Sequence, residues 1–155
     1  MSTIAAISTG RAPGGIGVVR ISGEDAIKIG DKIFSSFNGK KLCEIDGYSA
    51  LYGKTHDEGS DIDTVVALLF SAPKSYTGEN VVEISCHGGL FVTDKVLKAA
   101  FQAGAVPAEA GEFTKRAFLN GRIDLSKAEA IIDIIHAKNE YALKSSVRQL
   151  KGSVS

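Results

Sequence analysis

Residues 111–130, with the sequence GEFTKRAFLNGRIDLSKAEA, separate two differently patterned parts of the chain. Before this stretch, short β-branched runs alternate with helical runs, which is typical of a compact unit of mixed α and β structure. After it, one long helical pattern continues to the end of the sequence. We therefore expect one domain over residues 1–120 and the start of a helical domain over residues 121–155.

The stretch itself predicts a short helix, a turn and a second helix. Asn-Gly at 120–121 tolerates positive φ and so predicts the turn. Ser126 and Glu129 have the spacing of a capping box, which places the start of the second helix at Ser126. The turn presents Arg122 beside a free helix N-terminus, where an anion is favoured. The plainer alternative is that Arg122 is a solvated loop cation.

Composition points to an ordinary globular protein. The chain has 155 residues, of which 44% are hydrophobic and 23% charged, and 18 basic residues balance 18 acidic ones. Zero net charge argues against electrostatic binding of nucleic acid over the whole domain surface, although not against a local basic patch. Two cysteines do not make a disulfide framework, and no apolar run has membrane-spanning length. We expect a cytoplasmic protein with reduced thiols and no membrane association.

Hydrophobic periodicity predicts an α+β fold with a mixed, largely antiparallel sheet and packed helices. The predicted strands cover residues 4–8, 16–22, 48–56, 62–70 and 81–86. The third and fourth of these form a hairpin. A capping box at 22–25 predicts a helix to Phe34, and a further helix is expected over residues 90–102.

The last predicted helix, from residue 126 to about 150, has an apolar stripe that needs a packing partner. Either two chains associate through this stripe, or further helices cover it. The stripe consists of Ala128, Ile131, Ile132, Ile135, Ala142, Leu143, Val147 and Leu150.

Several common sites are not supported by the sequence. Gly14-Gly-Ile-Gly17 opens a strand rather than a helix, and Arg20 stands where a dinucleotide fingerprint needs its third glycine. No G-x-x-x-x-G-K-[ST] motif occurs, so nucleotide hydrolysis is not expected from these residues. Cys86 and His87 lie on opposite faces of a strand, which disfavours shared metal binding, and Cys86 is expected to be a small buried hydrophobe.

Two charged residues interrupt apolar strands: Arg20 in VVRIS and Glu83 in VVEIS. They could form a salt bridge with each other across the sheet. Alternatively, they bind a ligand. A carboxylate matches the aminopyrimidine edge of a pterin by accepting two N–H donors, and arginine suits carboxylates such as those of a glutamate tail.

Three blocks of sequence resemble the N-terminal part of the MnmE (TrmE) family of tRNA modification GTPases. They are TIAAISTGRAPGGIGVVRISG, PKSYTGENVVEISCHGG and GEFTKRAFLNGRIDLSKAEA, in the family's order. This resemblance covers essentially the whole chain. It implies a fold similar to the folate-binding domain of glycine-cleavage T protein, followed by one long helix of a helical domain.

The resemblance also implies a function and a site. Domains of this family bind 5-formyltetrahydrofolate and mediate homodimerisation. The residues that match the family's folate contacts are Arg20, Glu83 and Arg122. The whole family protein modifies the wobble uridine of tRNA with an MnmG-type FAD protein as partner. Its GTP, Mg²⁺ and K⁺ belong to a GTPase domain that these 155 residues do not contain.

The resulting hypothesis is a module that binds a one-carbon tetrahydrofolate, forms a dimer and is catalytically silent alone. The chain resembles a fragment or a truncated relative of the family, which leaves its status as an enzyme open. Two alternatives remain: a dimerisation scaffold without folate binding, and a small folate-dependent one-carbon transferase. Direct tRNA binding has weaker support, because few aromatic residues are interleaved with basic ones.

Overall fold

A computed structural model of the chain describes residues 1–9 and 15–154, with side chains described up to residue 145 in the last helix. Seven strands form one sheet in the order β3-β4-β5-β6-β2-β1-β7. All neighbouring strands are antiparallel except β1 and β7, which confirms a mixed, largely antiparallel sheet in an α+β fold. The strands are β1 Ile4–Ile7, β2 Gly17–Ser22, β3 Phe34–Ser36, β4 Ser49–His56, β5 Asp61–Phe70, β6 Val81–Cys86 and β7 Val106–Pro107.

Among the described residues, four α-helices accompany the sheet: α1 Ala26–Ile33, α2 Gly89–Gln102, α3 Glu112–Leu119 and α4 Leu125–Val154. Helices α1 and α2 pack on one face of the sheet and form the core with it. In β2, Val19 and Ile21 are buried on that inner face, whereas Arg20 points to the outer face. The alternation of side chains with a period of two along β2 thus places Arg20 on the face opposite the core.

The predicted hairpin is confirmed as β4 and β5, which pair along their whole length. The predicted helix starts at the two capping boxes are wrong. The first helix begins at Ala26, and the Ser22 hydroxyl bonds to Thr77 and Glu79 instead. The last helix begins at Leu125, with Asp124 as its cap.

The cap of α4 has a simple geometric reason. Oδ1 of Asp124 accepts a hydrogen bond from the backbone N–H of Lys127, at 2.8 Å. Aspartate is as good an N-cap as serine, and here it precedes the helix, whereas Ser126 already lies inside the first turn. Because Asp124 occupies this terminus, the free helix N-terminus expected beside Arg122 is also wrong.

The predicted turn at 120–121 is present and follows the Schellman pattern. Gly121 has a φ of 74°, its N–H donates to the carbonyl of Phe118, and the N–H of Arg122 donates to the carbonyl of Ala117. These two bonds satisfy carbonyls at the end of α3. The turn thus fixes the backbone of Arg122 relative to α3.

In the part of α4 whose side chains are described, the apolar side chains that pack on the rest of the chain lie between Ala128 and Ile135. Ala128 is buried and Ile131, Ile132 and Ile135 are half-buried, whereas Leu143 is 67% exposed. The side chains of Val147 and Leu150, the last two of the predicted stripe, lie outside the described residues. No helix in the described part is long and apolar enough to cross a membrane.

Candidate functional site

Arg20 and Glu83 are direct partners in the register of β2 and β6, on the outer face of the sheet. Nε of Arg20 donates to Oε2 of Glu83 at 2.9 Å, and each side chain is 21% exposed. The salt bridge that the sequence left open is therefore present. Both groups also remain accessible, because the pair lies at the surface of the sheet rather than in the core.

Two aromatic rings flank this ion pair. The guanidinium carbon of Arg20 lies 5.1 Å from the ring centroid of Tyr76 and 5.1 Å from that of Phe113. The Tyr76 hydroxyl is 2.7 Å from the Thr114 hydroxyl, which ties the loop after β5 to α3. Cation–π contacts of this kind hold a guanidinium in a fixed plane. Arg20 is thus preorganised by two rings and one carboxylate.

A cavity of about 560 Å³ opens beside Arg20, within the size range of small-molecule sites. Its walls come from β1, α2, the segment between β7 and α3, α3 and α4, together with Arg20 of β2 and Tyr76 of the loop after β5. Its charged lining residues are Arg20 and Glu109, and its aromatic ones are Tyr76, Phe101 and Phe113. A mixed wall that includes three aromatic rings and two charged groups can take a flat heteroaromatic ligand with a polar edge.

Arg122 lines a different, neighbouring cavity of about 380 Å³. Its Nε donates to the carbonyl of Ser75 at 3.0 Å. The structure therefore brings Arg20 and Glu83 together and places Arg122 apart from them. Tyr76 lines both cavities and so stands between the two sites.

Arg116, which the sequence did not single out, is a buried arginine whose ion pairs hold two elements of the site together. The side chain of Arg116, on α3, is 2% exposed. Its Nη1 lies 3.1 Å and 3.2 Å from the two carboxylate oxygens of Glu79, and its Nη2 lies 3.0 Å from Glu112. Ser22 donates to Glu79 at 2.8 Å and so joins β2 to this network. The Nε of Arg116 is buried and has no hydrogen-bond partner among the described residues.

The network matters because it fixes the loop over residues 71–80 against α3. That loop carries Tyr76, and α3 carries Phe113, the two rings around Arg20. One feature of the sequence could have indicated this network: Glu112 and Arg116 have the spacing of an i,i+4 ion pair on a helix. Such pairs usually lie on exposed helix faces, so the spacing alone does not indicate burial.

The thiols are not activated. Cys86 is completely buried, as expected, and burial together with the nearby charge of Asp63 raises its pKa to about 12. Cys43 is exposed, and its hydrogen bond with Asp31 raises the pKa of this thiol as well. A nucleophilic cysteine needs a lowered pKa. Within the described residues, no three His, Cys, Asp or Glu side chains are grouped for a metal ion.

Comparison with known proteins gives consistent matches. A family model described as "GTP-binding protein TrmE N-terminus" matches residues 3–122. The chain is 58% identical over 153 residues to the tRNA modification GTPase MnmE of Lachnoclostridium phytofermentans, covering 98% of this chain and 33% of the relative. It is 50% identical over 153 residues to the protein of the same name from Clostridioides difficile, covering 99% of the chain and 33% of the relative.

A third relative, the tRNA modification GTPase MnmE of Bacillus subtilis, is 47% identical over 157 residues, which covers 100% of this chain and 34% of the relative. The chain thus spans about one third of the length of the curated relatives it matches.

Proposed function

This chain belongs to the family described as the GTP-binding protein TrmE N-terminus, and we propose that it is the tetrahydrofolate-binding module of a tRNA modification GTPase. The ligand is a one-carbon folate of the 5-formyltetrahydrofolate type. Arg20, Glu83 and Arg122 are its binding residues. The observation that carries this proposal is the Arg20–Glu83 pair, in which the Arg20 guanidinium lies 5.1 Å from the ring centroids of both Tyr76 and Phe113 and lines the larger cavity.

The chemistry of the pair fits a pterin. A carboxylate has about four acceptor positions, so Glu83 can keep Arg20 on Oε2 and still accept N–H donors of an aminopyrimidine edge. Arg20 uses Nε for Glu83, which leaves its terminal nitrogens to donate to carbonyl oxygens of the ligand. Tyr76 and Phe113 offer ring faces and edges against which a flat ring system packs.

The relatives are named as tRNA modification GTPases, and the wider role is what the family resemblance implies. In a whole protein of this family, the module would present a one-carbon unit for the aminomethyl or carboxymethylaminomethyl modification of a wobble uridine. Its partners would be a second copy of the chain, an MnmG-type FAD protein and tRNA. GTP, Mg²⁺ and K⁺ would act in a separate GTPase domain, because the sequence here carries no P-loop motif.

One further observation supports dimer formation. Tyr48, Phe37 and Tyr52 are 64%, 56% and 60% exposed, and the rings of the last two meet edge to face at 5.1 Å. Exposed aromatic groups of this kind are enriched at protein interfaces. If this aromatic surface mediates dimerisation and the chain binds no folate, the chain is a dimerisation scaffold. Molar mass by light scattering, for the wild type and Tyr52→Lys, with and without folate, separates the two functions.

Calorimetric titration of 5-formyltetrahydrofolate into the chain tests the folate proposal. We expect saturable binding that Glu83→Gln and Arg20→Ala each weaken by about tenfold to a hundredfold, because each removes charge-assisted hydrogen bonds. Glu58→Gln and Lys98→Ala, at exposed positions outside the larger cavity, are the matched controls. Absence of binding both in the folded chain and in the full-length Bacillus subtilis relative would overturn the proposal.

A further inference from the structure

We propose that the cavity around Arg122 is a subsite for the poly-γ-glutamate tail of a bound folate, and that the chain prefers folate polyglutamates to the monoglutamate. This inference rests on the proposed folate function. It assigns to the site two residues that the family resemblance did not supply, Lys74 and Lys127. Both are exposed and line the cavity of about 380 Å³ together with Arg122.

The charge of this cavity is one-sided. Its described lining residues include three cations, Arg122, Lys74 and Lys127, and no carboxylate. Asp124, the acidic residue nearest to Arg122 in the sequence, uses Oδ1 to cap α4 and does not line the cavity. A concave surface with uncompensated positive charge attracts a polyanion.

The position of the cavity suits an extension of the ligand in the first site. Tyr76 lines both cavities, and its ring lies against the Arg20 guanidinium. Because Tyr76 belongs to both linings, a ligand that extends from the larger cavity along this side chain would enter the smaller one. A poly-γ-glutamate tail extends from the p-aminobenzoyl group, at the end of folate opposite the pterin, and carries one carboxylate per added residue, which matches the three cations that line the smaller cavity.

The cations are presented by a rigid backbone. Nε of Arg122 is bound to the Ser75 carbonyl, which orients the guanidinium and leaves its terminal nitrogens for a carboxylate. The side-chain amide of Asn120 donates to the Thr77 carbonyl at 2.8 Å, so the turn before Arg122 is attached to the loop that carries Lys74. The Tyr48 hydroxyl donates to the Lys74 carbonyl at 2.8 Å, which fixes the loop from the other side.

The cavity also has apolar walls. The rings of Tyr48 and Phe70 meet edge to face at 6.0 Å, and both line the same cavity as the cations. Each γ-glutamyl unit carries two methylene groups, which pack on such rings while its carboxylate reaches a lysine or the arginine. Phosphate groups alone would not use these walls, so the cavity favours the glutamate tail over a nucleic-acid backbone.

The test compares two folates on the same protein. The affinities of 5-formyltetrahydrofolate as monoglutamate and as triglutamate are measured by calorimetry at low ionic strength, for the wild type and for Lys74→Ala/Lys127→Ala. Exposed ion pairs are individually weak and are screened by salt, so we expect the wild type to favour the triglutamate by about tenfold, less at high salt. The double variant should lose this ratio, and the control Lys40→Ala/Lys98→Ala, two exposed lysines that line neither cavity, should keep it.

The outcomes separate this inference from the folate proposal itself. If the monoglutamate binds and the triglutamate binds no tighter, the tail subsite is overturned and the folate module stands. A ratio that survives in the lysine double variant also overturns the subsite. If tRNA binding depends on Lys74 and Lys127 while tail length has no effect, the cavity belongs to phosphates instead. If neither folate binds, the proposed function fails first.

Discussion

Arg116 and Glu79 form an ion pair inside the domain, with Nη1 at 3.1 Å from Oε1 and the arginine side chain almost completely buried. Glu112 holds the other terminal nitrogen of the same guanidinium at 3.0 Å. A buried arginine is tolerated only when carboxylates compensate its charge. This pair therefore connects the stability of the domain to the position of the loop that carries Tyr76.

Removing the charge of Glu79 should destabilise the domain. Breaking a fully buried ion pair costs about 3–5 kcal/mol. We expect about 2–3 kcal/mol for Glu79→Gln, because Glu79 is 16% exposed and Arg116 keeps Glu112. Urea denaturation measures the loss, with Glu58→Gln at the exposed hairpin tip as the control. If the free energy of unfolding falls no more than in the control, the buried Arg116–Glu79 pair does not stabilise the domain.

The cap of α4 gives a second prediction. Asp124→Ala should lower the free energy of unfolding by about 1 kcal/mol, since the N–H of Lys127 loses its acceptor. Ser126→Ala should change it by much less, because Ser126 lies inside the first turn. Denaturation of the two variants side by side decides between them. A larger effect at Ser126 than at Asp124 would restore the capping box that the sequence indicated.

Tyr76 should matter through its ring rather than its hydroxyl. Tyr76→Phe keeps the ring over Arg20 and loses only the bond to Thr114, so its folate affinity should stay within about threefold of the wild type. Tyr76→Leu loses the cation–π and stacking contacts and should weaken binding by about tenfold or more. Calorimetry of both variants is the measurement. Equal losses in both variants would show that the hydroxyl carries the effect.

The two thiols should differ in reactivity and in their effect on stability. A thiol reagent at about pH 8 should modify Cys43 in the folded chain and reach Cys86 only after unfolding. Folding raises the pKa of Cys86 from 9.0 to about 12. The protonated thiol therefore makes its full contribution to the free energy of unfolding below pH 9, and this contribution is lost as the pH rises toward 12. Denaturation of the wild type and of Cys86→Ala across this pH range measures how the stability advantage of the wild type over the variant changes with pH. A stability difference that grows with rising pH would contradict it.

The sequence identified Arg20 and Glu83 as charged interruptions of two apolar strands and left open whether they pair with each other or bind a ligand. It could not predict that the two residues pair, since the register of β2 and β6 is set by tertiary contacts. The cap of α4 was misplaced because Asp124 and Ser126 are equally good caps two residues apart. Arg116 was missed, and the contact of Arg122 with Ser75 could not be foreseen, because both depend on the loop at 71–80 folding onto α3 and the turn after it.

The most direct test of the central claim is a crystal structure of the chain with 5-formyltetrahydrofolate. We expect the pterin in the cavity of about 560 Å³, with its aminopyrimidine edge within hydrogen-bonding distance of Glu83 and its tail directed past Tyr76 toward Arg122. A folate bound elsewhere on the chain, or an empty cavity in crystals grown with saturating folate, would contradict it.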